Sequence, residues 1–292
     1  MEIIHTVSWM KQVAAEARLK EHILGLVPTM GALHDGHISL IREAQRQCSL
    51  VAVSIFVNPK QFGPSEDFKK YPRTFDADRD ALEKLGVNYL FAPSPEEMYS
   101  KDFRTAVIVE GLSDRLEGKS RPGHFRGVTT VVLKLFEIVQ PRFAFFGRKD
   151  AQQVLILQRM VRDLNLDAEI VVSPILREPD GLALSSRNVY LKDADREAAA
   201  VLHRSLQAAA KEIRAGERNP AVILAALRTI IATQPRVELD YAEIVDAEHL
   251  EPLMTLGRTA GYLLLAARVG GTRLIDNAFI QPDGDGGFTI SI

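Results

Sequence analysis

Two histidines three residues apart, His34 and His37, stand in a segment reading Val-Pro-Thr-Met-Gly-Ala-Leu-His-Asp-Gly-His over residues 27 to 37. Imidazoles at this spacing share a helical face and hydrogen-bond phosphoryl oxygens without the solvation cost of a lysine ammonium. An apolar run, His22–Val27, breaks at Pro28 and Gly31, and a helical pattern follows over Ile38–Gln47, so both rings are expected at a helix mouth. Backbone N–H groups there attract anions, and Gly31 and Gly36 let a nucleotide lie against the main chain because neither carries a Cβ. Taken alone, the pair also fits a solvated helix N-terminus or half of a metal site. Metal is the poorer fit, since Cys48 is the only cysteine and no third histidine or carboxylate falls nearby at zinc-like spacing.

Four further segments carry chemistry. Phe56 to Phe68 contains Asn58-Pro59 and Gly63-Pro64, which stiffen a turn bearing Gln61, whose amide both donates and accepts. Gly118 to Gly127 gathers three cations and His124 between glycines before an apolar helix, and reads equally as a phosphate contact or a solvated basic loop. Phe145 to Gln153 reads as a strand ending at Gly147, then Lys149 in reach of a phosphate, Asp150 as a ribose contact or helix cap, and Gln153 one turn on. Asp180 to Asn188 sets Ser185, Ser186 and Arg187 in a polar loop suited to a pyrophosphate leaving group, or to a linker. Asp78 and Glu117 are the acidic side chains considered for magnesium.

The elements that must position these residues follow from periodicity. Apolar runs at His22–Val27, Leu50–Val57, Val87–Ala92, Thr105–Val109, Arg142–Gly147 and Ala168–Ser173 alternate with helical patterns at Ile38–Gln47, Thr74–Leu85, Gly127–Val139 and Ala151–Asp163. Such alternation predicts a Rossmann-like α/β domain with a parallel sheet, whose ligands collect beyond the carboxyl ends of the strands. From residue 177 the texture predicts a smaller α+β domain. It has helices over Asp193–Ala215 and Pro220–Thr233, then an antiparallel sheet from Val237–Val245, Gly261–Val269 and Arg273–Ile280. The expected domains are therefore 1–176 and 177–292.

A chain of 292 residues with 46% hydrophobic and 25% charged content suits two cores, and a net charge of −2 gives no footprint for nucleic acid. Met1–Lys20 reads as a strand and an amphipathic helix, so no signal peptide is expected. Gly261–Val269 is too short for a membrane span, and the single cysteine fits a cytoplasmic location.

Taken together, the motifs at residues 27–37, 56–62, 121–128, 145–153 and 184–188 resemble, in order, those of the pantothenate synthetase family, the pantoate-beta-alanine ligases of the His-x-x-His nucleotidyltransferase superfamily. The resemblance implies a homodimeric enzyme that uses ATP and Mg2+ to join pantoate to β-alanine through pantoyl adenylate, releasing pyrophosphate and then AMP. It implies that Met30, Gly31, Ala32, Leu33, His34, Asp35, Gly36 and His37 form an ATP-binding turn, with His37 as proton donor. Gly147, Arg148, Lys149 and Asp150 would bind adenosine and phosphate, with the Leu176 backbone near adenine. Leu184, Ser185, Ser186 and Arg187 would close over the triphosphate. His34, His37, Lys149 and Arg187 are the implied catalytic set.

On the same basis Gln61 would contact pantoate and β-alanine and Gln153 pantoate, with Asn58 nearby and an apolar wall of Pro28, Met30 and Phe62. Arg148, Ala151 and Leu184 depart from the family pattern, where an acid, an aromatic and a methionine are common. Cys48 is not expected to be catalytic. A nucleotidyltransferase acting on a phosphorylated acceptor would share the histidine turn but have no use for Gln61 and Gln153. A nucleotide sensor would not need Lys149 and His37. A tRNA-charging enzyme would need a basic face that this chain lacks.

Overall fold

The computed structural model describes residues 1–64 and 66–292; Ser65, within the Phe56–Phe68 segment, lies outside the described residues. The chain forms two compact units, one of Met1–Arg148 with Gln152–Pro174 and the other of Lys149–Ala151 with Ile175–Ile292.

The first unit is built on six parallel strands: β1 (Glu2–Ile4), β2 (Leu24–Thr29), β3 (Leu50–Ile55), β4 (Tyr89–Phe91), β5 (Phe143–Gly147) and β6 (Glu169–Ser173). Their order is β1-β4-β3-β2-β5-β6, so the chain builds outward from β2 on one side through β3 and β4, then crosses to the other through β5 and β6. The reversal falls between β2 and β5, the place where open α/β sheets bind ligands. The main connecting helices are α1 (Val7–Leu19), α2 (Asp35–Gln47), α3 (Phe75–Lys84), α6 (His124–Val139) and α7 (Ala151–Asp163), with short turns α4 (Pro95–Met98) and α5 (Glu117–Ser120). Helix α2 is amphipathic and lays Leu40, Ile41 and Ala44 against Val27, Val51, Val53 and Phe145.

Strand β2 runs two residues further than its apolar pattern predicts, through Pro28 to Thr29. Its ladder to β5 stops at Leu26, while its ladder to β3 continues to Thr29 opposite Ile55. Pro28, which has no N–H, therefore extends the strand past the end of the β5 ladder without breaking it. Thr105–Val109, expected as a strand, is not one. Its backbone bonds go to helix α6, with Val107 N donating to Thr130 Oγ1 at 3.0 Å and Val107 O accepting from Thr129 Oγ1 at 2.7 Å. Helix α6 also begins one turn early, because Gly123 at φ +83° turns the chain into it.

The second unit has an antiparallel sheet ordered β10-β9-β8-β7, from β7 (Val237–Asp246), β8 (Gly261–Val269), β9 (Thr272–Pro282) and β10 (Phe288–Ser291). Strand β10 was not anticipated. The alanine-rich helix expected over Asp193–Ala215 is two, α8 (Asp193–Ala199) and α9 (Val201–Arg214), parted at Ala200. These and α10 (Pro220–Ile231) bury Leu202, Leu206, Ile223 and Leu227 with Leu263, Leu265 and Ile280 of the sheet. No helix among the described residues is long and apolar enough to cross a membrane.

Candidate active site

The turn between β2 and α2 holds its shape through a buried carboxylate. Gly31 and Ala32 both take positive φ, +79° and +50°. For alanine this region is strained by roughly 1 kcal/mol. Asp78, 4% exposed on α3, offsets the strain by accepting from Ala32 N at 2.9 Å, Leu33 N at 2.8 Å and Thr74 Oγ1 at 3.1 Å. Thr29 Oγ1 ties the turn to β3 through Ser54 O at 2.8 Å. Asp78, considered above for magnesium, is thus a strap for this turn.

His34 and His37 cap α2 reciprocally. His34 Nδ1 accepts from Gly36 N at 3.2 Å, His37 Nδ1 accepts from His34 N at 3.3 Å, and the ring centroids lie 4.1 Å apart. Since each Nδ1 is an acceptor, each neutral ring carries its hydrogen on Nε2. The expectation that backbone N–H groups at this mouth receive an anion needs correction. Those of Ala32, Leu33, His34, Gly36 and His37 all bond within the protein.

Gln61 sits in a 3₁₀ turn, Pro59–Gln61, fixed from three sides. Its amide oxygen accepts from Asn58 Nδ2 at 3.0 Å, its Nε2 donates to Met30 Sδ at 3.1 Å, and its backbone carbonyl meets His124 Nδ1 at 2.8 Å. A Cβ on Gly127 would fall 2.2 Å from Lys60 O and 2.6 Å from Gln61 Cα, so only glycine lets α6 approach this closely. Asn58, expected among the substrate contacts, is 1% exposed and lies behind Gln61. Its Oδ1 accepts from Tyr99 Oη at 2.9 Å and from Lys60 N at 3.2 Å.

The basic segment before α6 proves partly structural. Arg121 makes a bidentate pair with Glu66, at 2.9 and 2.7 Å, and reaches His124 Nε2 at 3.0 Å. The guanidinium donates, so His124 Nε2 accepts and Nδ1–H donates to the Gln61 carbonyl. Burial, helped by the Arg121 charge, pulls the His124 pKa down to about 4 and keeps the ring neutral. Burial alone would raise Glu66, yet the Arg121 pair holds its carboxyl below the usual range. Lys119 and Arg126 are exposed.

Helix α7 carries Gln153, half-buried in its first turn, beside Gln152, which sequence reasoning missed. Gln152 is 4% exposed and holds the Leu112–Glu117 loop through Leu112 O at 2.8 Å, Arg115 O at 2.9 Å and Glu117 N at 3.1 Å. Glu117, the second acid considered for magnesium, is buried there. Cys48 closes α2, and burial pushes its thiol up to about 11, so it is protonated at neutral pH.

Strand β5 ends at Gly147, opposite Ser173, and Arg148–Asp150 form a 3₁₀ turn into α7. In the second unit Lys149 lies with Nζ 3.8 Å from Asp150 Oδ2, and its carbonyl accepts from Asn277 Nδ2 at 3.0 Å. Next to Asn277 on β9, Asp276 pairs with Arg177 at 2.7 and 2.9 Å, and Arg177 also donates to Gly181 O at 2.9 Å. Consecutive buried residues of one strand thus anchor both the lysine and the base of the 180–188 loop. The polar Asp-Asn pair inside an apolar strand was the available signal. Within that loop Leu184 N donates to Leu176 O at 2.9 Å, and Ser185 Oγ caps the Ser186–Tyr190 turn by accepting from Arg187 N at 3.3 Å.

The first unit therefore gathers Pro28, the residues from Met30 to His37, Asn58 and Gln61 around one turn, and the second ties Lys149 and Leu176 to the loop bearing Leu184, Ser185, Ser186 and Arg187. Residues 2–279 match the family model described as Pantoate-beta-alanine ligase. A curated relative from Chloroherpeton thalassium named pantothenate synthetase is 51% identical over 283 residues, covering 96% of this chain and all of that protein. One of the same name from Thermotoga neapolitana is 52% identical over 280 residues, with 96% of this chain and 100% of that protein covered. The solved pantothenate synthetase of Thermus thermophilus superposes with a TM-score of 0.89 at 46% identity, covering 95% of this chain and 98% of that one. The pantoate-beta-alanine ligase of Francisella tularensis, crystallised with beta-gamma ATP and beta-alanine, superposes with a TM-score of 0.78 at 35% identity over 95% of this chain and 97% of that one. The chain belongs to the pantoate-beta-alanine ligase family.

Proposed function

We propose that the protein condenses pantoate with β-alanine at the expense of ATP. A pantoate carboxylate oxygen attacks the α-phosphorus, the bond to the β-phosphate breaks, and pyrophosphate leaves. The β-alanine amine then attacks the acyl carbon of pantoyl adenylate, loses a proton, and expels AMP. The observation that carries this reading is the 3.1 Å contact of Gln61 Nε2 with Met30 Sδ. It sets the Gln61 amide, which would bind the acid, against the turn that carries His34 and His37, where a carboxylate would meet a phosphorus.

In this reading the Nε2–H groups of His34 and His37 donate to phosphoryl oxygens as negative charge grows, and neutral rings do so without a buried cation. Gln61 and Gln153 orient pantoate against Pro28, Met30 and Phe62. Lys149 and Arg187 offset phosphate charge, Ser185 and Ser186 bind the departing pyrophosphate, and Gly147, Arg148, Asp150, Leu176 and Leu184 contact the nucleotide. Residues 1–176 act as the ATP- and pantoate-binding domain and 177–292 as a lid. A cytoplasmic homodimer belongs to the same proposal. The relative crystallised with beta-gamma ATP and beta-alanine supports the choice of nucleotide and amine.

Magnesium is the ion the resemblance implies. Among the described residues no group of three or more His, Cys, Asp or Glu side chains could hold a metal ion, and Asp78 is bonded to the histidine turn. Magnesium would then be held chiefly by the ATP phosphates rather than by a cluster of side chains, and no step is assigned to it. Incubation with ATP, magnesium, pantoate and β-alanine tests the reaction: pantothenate and AMP form in equal amounts and only with all substrates present. ADP in place of AMP would overturn it.

A further inference from the structure

We propose that Tyr99 is a positioning residue for the acid substrate, acting through Asn58 to hold the Gln61 amide with its donor end on the Met30 turn. The proposal deepens the reading of Gln61 given above and rests on it.

An amide side chain has two orientations that differ only by exchange of O and N, and its hydrogen-bond partners choose between them. Asn58 has no freedom in this choice. Its Nδ2 faces Gly127 O at 3.1 Å, which can only accept, and its Oδ1 faces Lys60 N at 3.2 Å, which can only donate. The Tyr99 hydroxyl completes the set by donating to Oδ1 at 2.9 Å. Asn58 Nδ2 therefore presents a hydrogen to Gln61, the Gln61 oxygen must turn toward it at 3.0 Å, and Nε2 is left at the other end, 3.1 Å from Met30 Sδ.

A thioether sulfur is a weak acceptor. A carboxylate or hydroxyl oxygen displaces it, so the Gln61 N–H is held ready for an oxygen-bearing ligand. The reversed amide would offer lone pairs to a carboxylate and repel it. Gly127 O and Lys60 N set this polarity, and the Tyr99 hydroxyl, held by an immobilised ring, strengthens the Asn58 arrangement that they select. Tyr99 is buried, packs edge-on to Phe103 with centroids 4.9 Å apart, and has Lys60 Nζ 5.0 Å from its centroid. Losing the hydroxyl leaves Asn58 Oδ1 a single donor, Lys60 N, and loosens the amide against which Gln61 is oriented.

A double-mutant cycle on the purified, full-length enzyme tests this. Tyr99→Phe is near-isosteric, and its melting temperature beside wild type monitors the fold. In the wild-type background the substitution is expected to raise KM for pantoate roughly 3- to 10-fold, the range of one lost neutral hydrogen bond, while KM for ATP moves less than about twofold. In a Gln61→Ala background it is expected to change neither constant. An equal effect in both backgrounds, an equal rise in both KM values, or no change in the pantoate KM would overturn the proposal. If Gln61→Ala alone leaves the pantoate KM unchanged, the assignment of Gln61 to the acid falls first, and the two failures are thereby distinguished.

Discussion

Asn277 donates its side-chain amide to the carbonyl of Lys149 at 3.0 Å, joining residues 128 apart in the sequence. Asn277 is 1% exposed. A buried carbonyl left without its donor costs about 1 to 3 kcal/mol or shifts to find another. Asn277→Leu is therefore expected to loosen the backbone that aims Lys149 and to lower kcat about tenfold, with KM for pantoate unchanged. Steady-state kinetics check this; an unchanged kcat would remove Asn277 from the positioning of the lysine.

Asp78 provides a second test, since its carboxylate holds the backbone of Ala32, a positive-φ residue of the histidine turn, and of Leu33 beside it. Asp78→Ala leaves two backbone N–H groups and the Thr74 hydroxyl without their acceptor, and is expected to destabilise the protein by about 2 to 4 kcal/mol and to raise KM for ATP. A metal ligand would behave differently. Titrating magnesium well above its working concentration should not restore ATP affinity in the variant, and full recovery would return Asp78 to the metal.

The burial of His124 sets a pH dependence of defined sign. Its folded pKa of about 4 lies below the ordinary 6.5, so between these values the unfolded chain binds a proton that the folded one does not. Stability contributed by the neutral ring is complete above pH 6.5 and is lost as pH falls toward 4. Arg121 opposes protonation while Glu66 and Glu117 favour it, and all three stay in place in His124→Asn, whose amide retains a donor for the Gln61 carbonyl. Melting temperatures from pH 7.5 down to 4.5 are expected to fall more steeply for wild type than for the variant. Parallel curves would contradict a buried neutral His124.

How much of this was legible follows from which forces act locally. The alternation of apolar runs and helical patterns marks the parallel sheet, and the Pro28–Gly31 break with helical spacing after His37 marks the turn that carries the site. Thr105–Val109 misled because its β-branched residues suit a strand, while its hydrogen bonds go to two threonine hydroxyls on α6 that only the tertiary structure brings near. The same is true of the supports behind the site. Asp78 is 46 residues from Ala32 and Tyr99 is 41 from Asn58, and no local pattern ties either to its partner. Sequence spacing pointed to side chains that can face a ligand, such as His34, His37 and Gln61. It was silent on the supports, such as Asn277 on the Lys149 carbonyl and Gln152 on the Leu112–Glu117 loop.

In the proposed reaction, pantoate is activated by attack on the α-phosphorus beside the His34–His37 turn. ATP–pyrophosphate isotope exchange with pantoate and magnesium but without β-alanine measures that half-reaction alone. His37→Asn is the informative variant, since its amide oxygen can keep accepting from His34 N, as Nδ1 does, while the Nε2–H is removed. Exchange is expected to require pantoate and to fall at least about 100-fold in His37→Asn, the scale of a lost transition-state donor. Exchange independent of pantoate, or undiminished in His37→Asn, would contradict it.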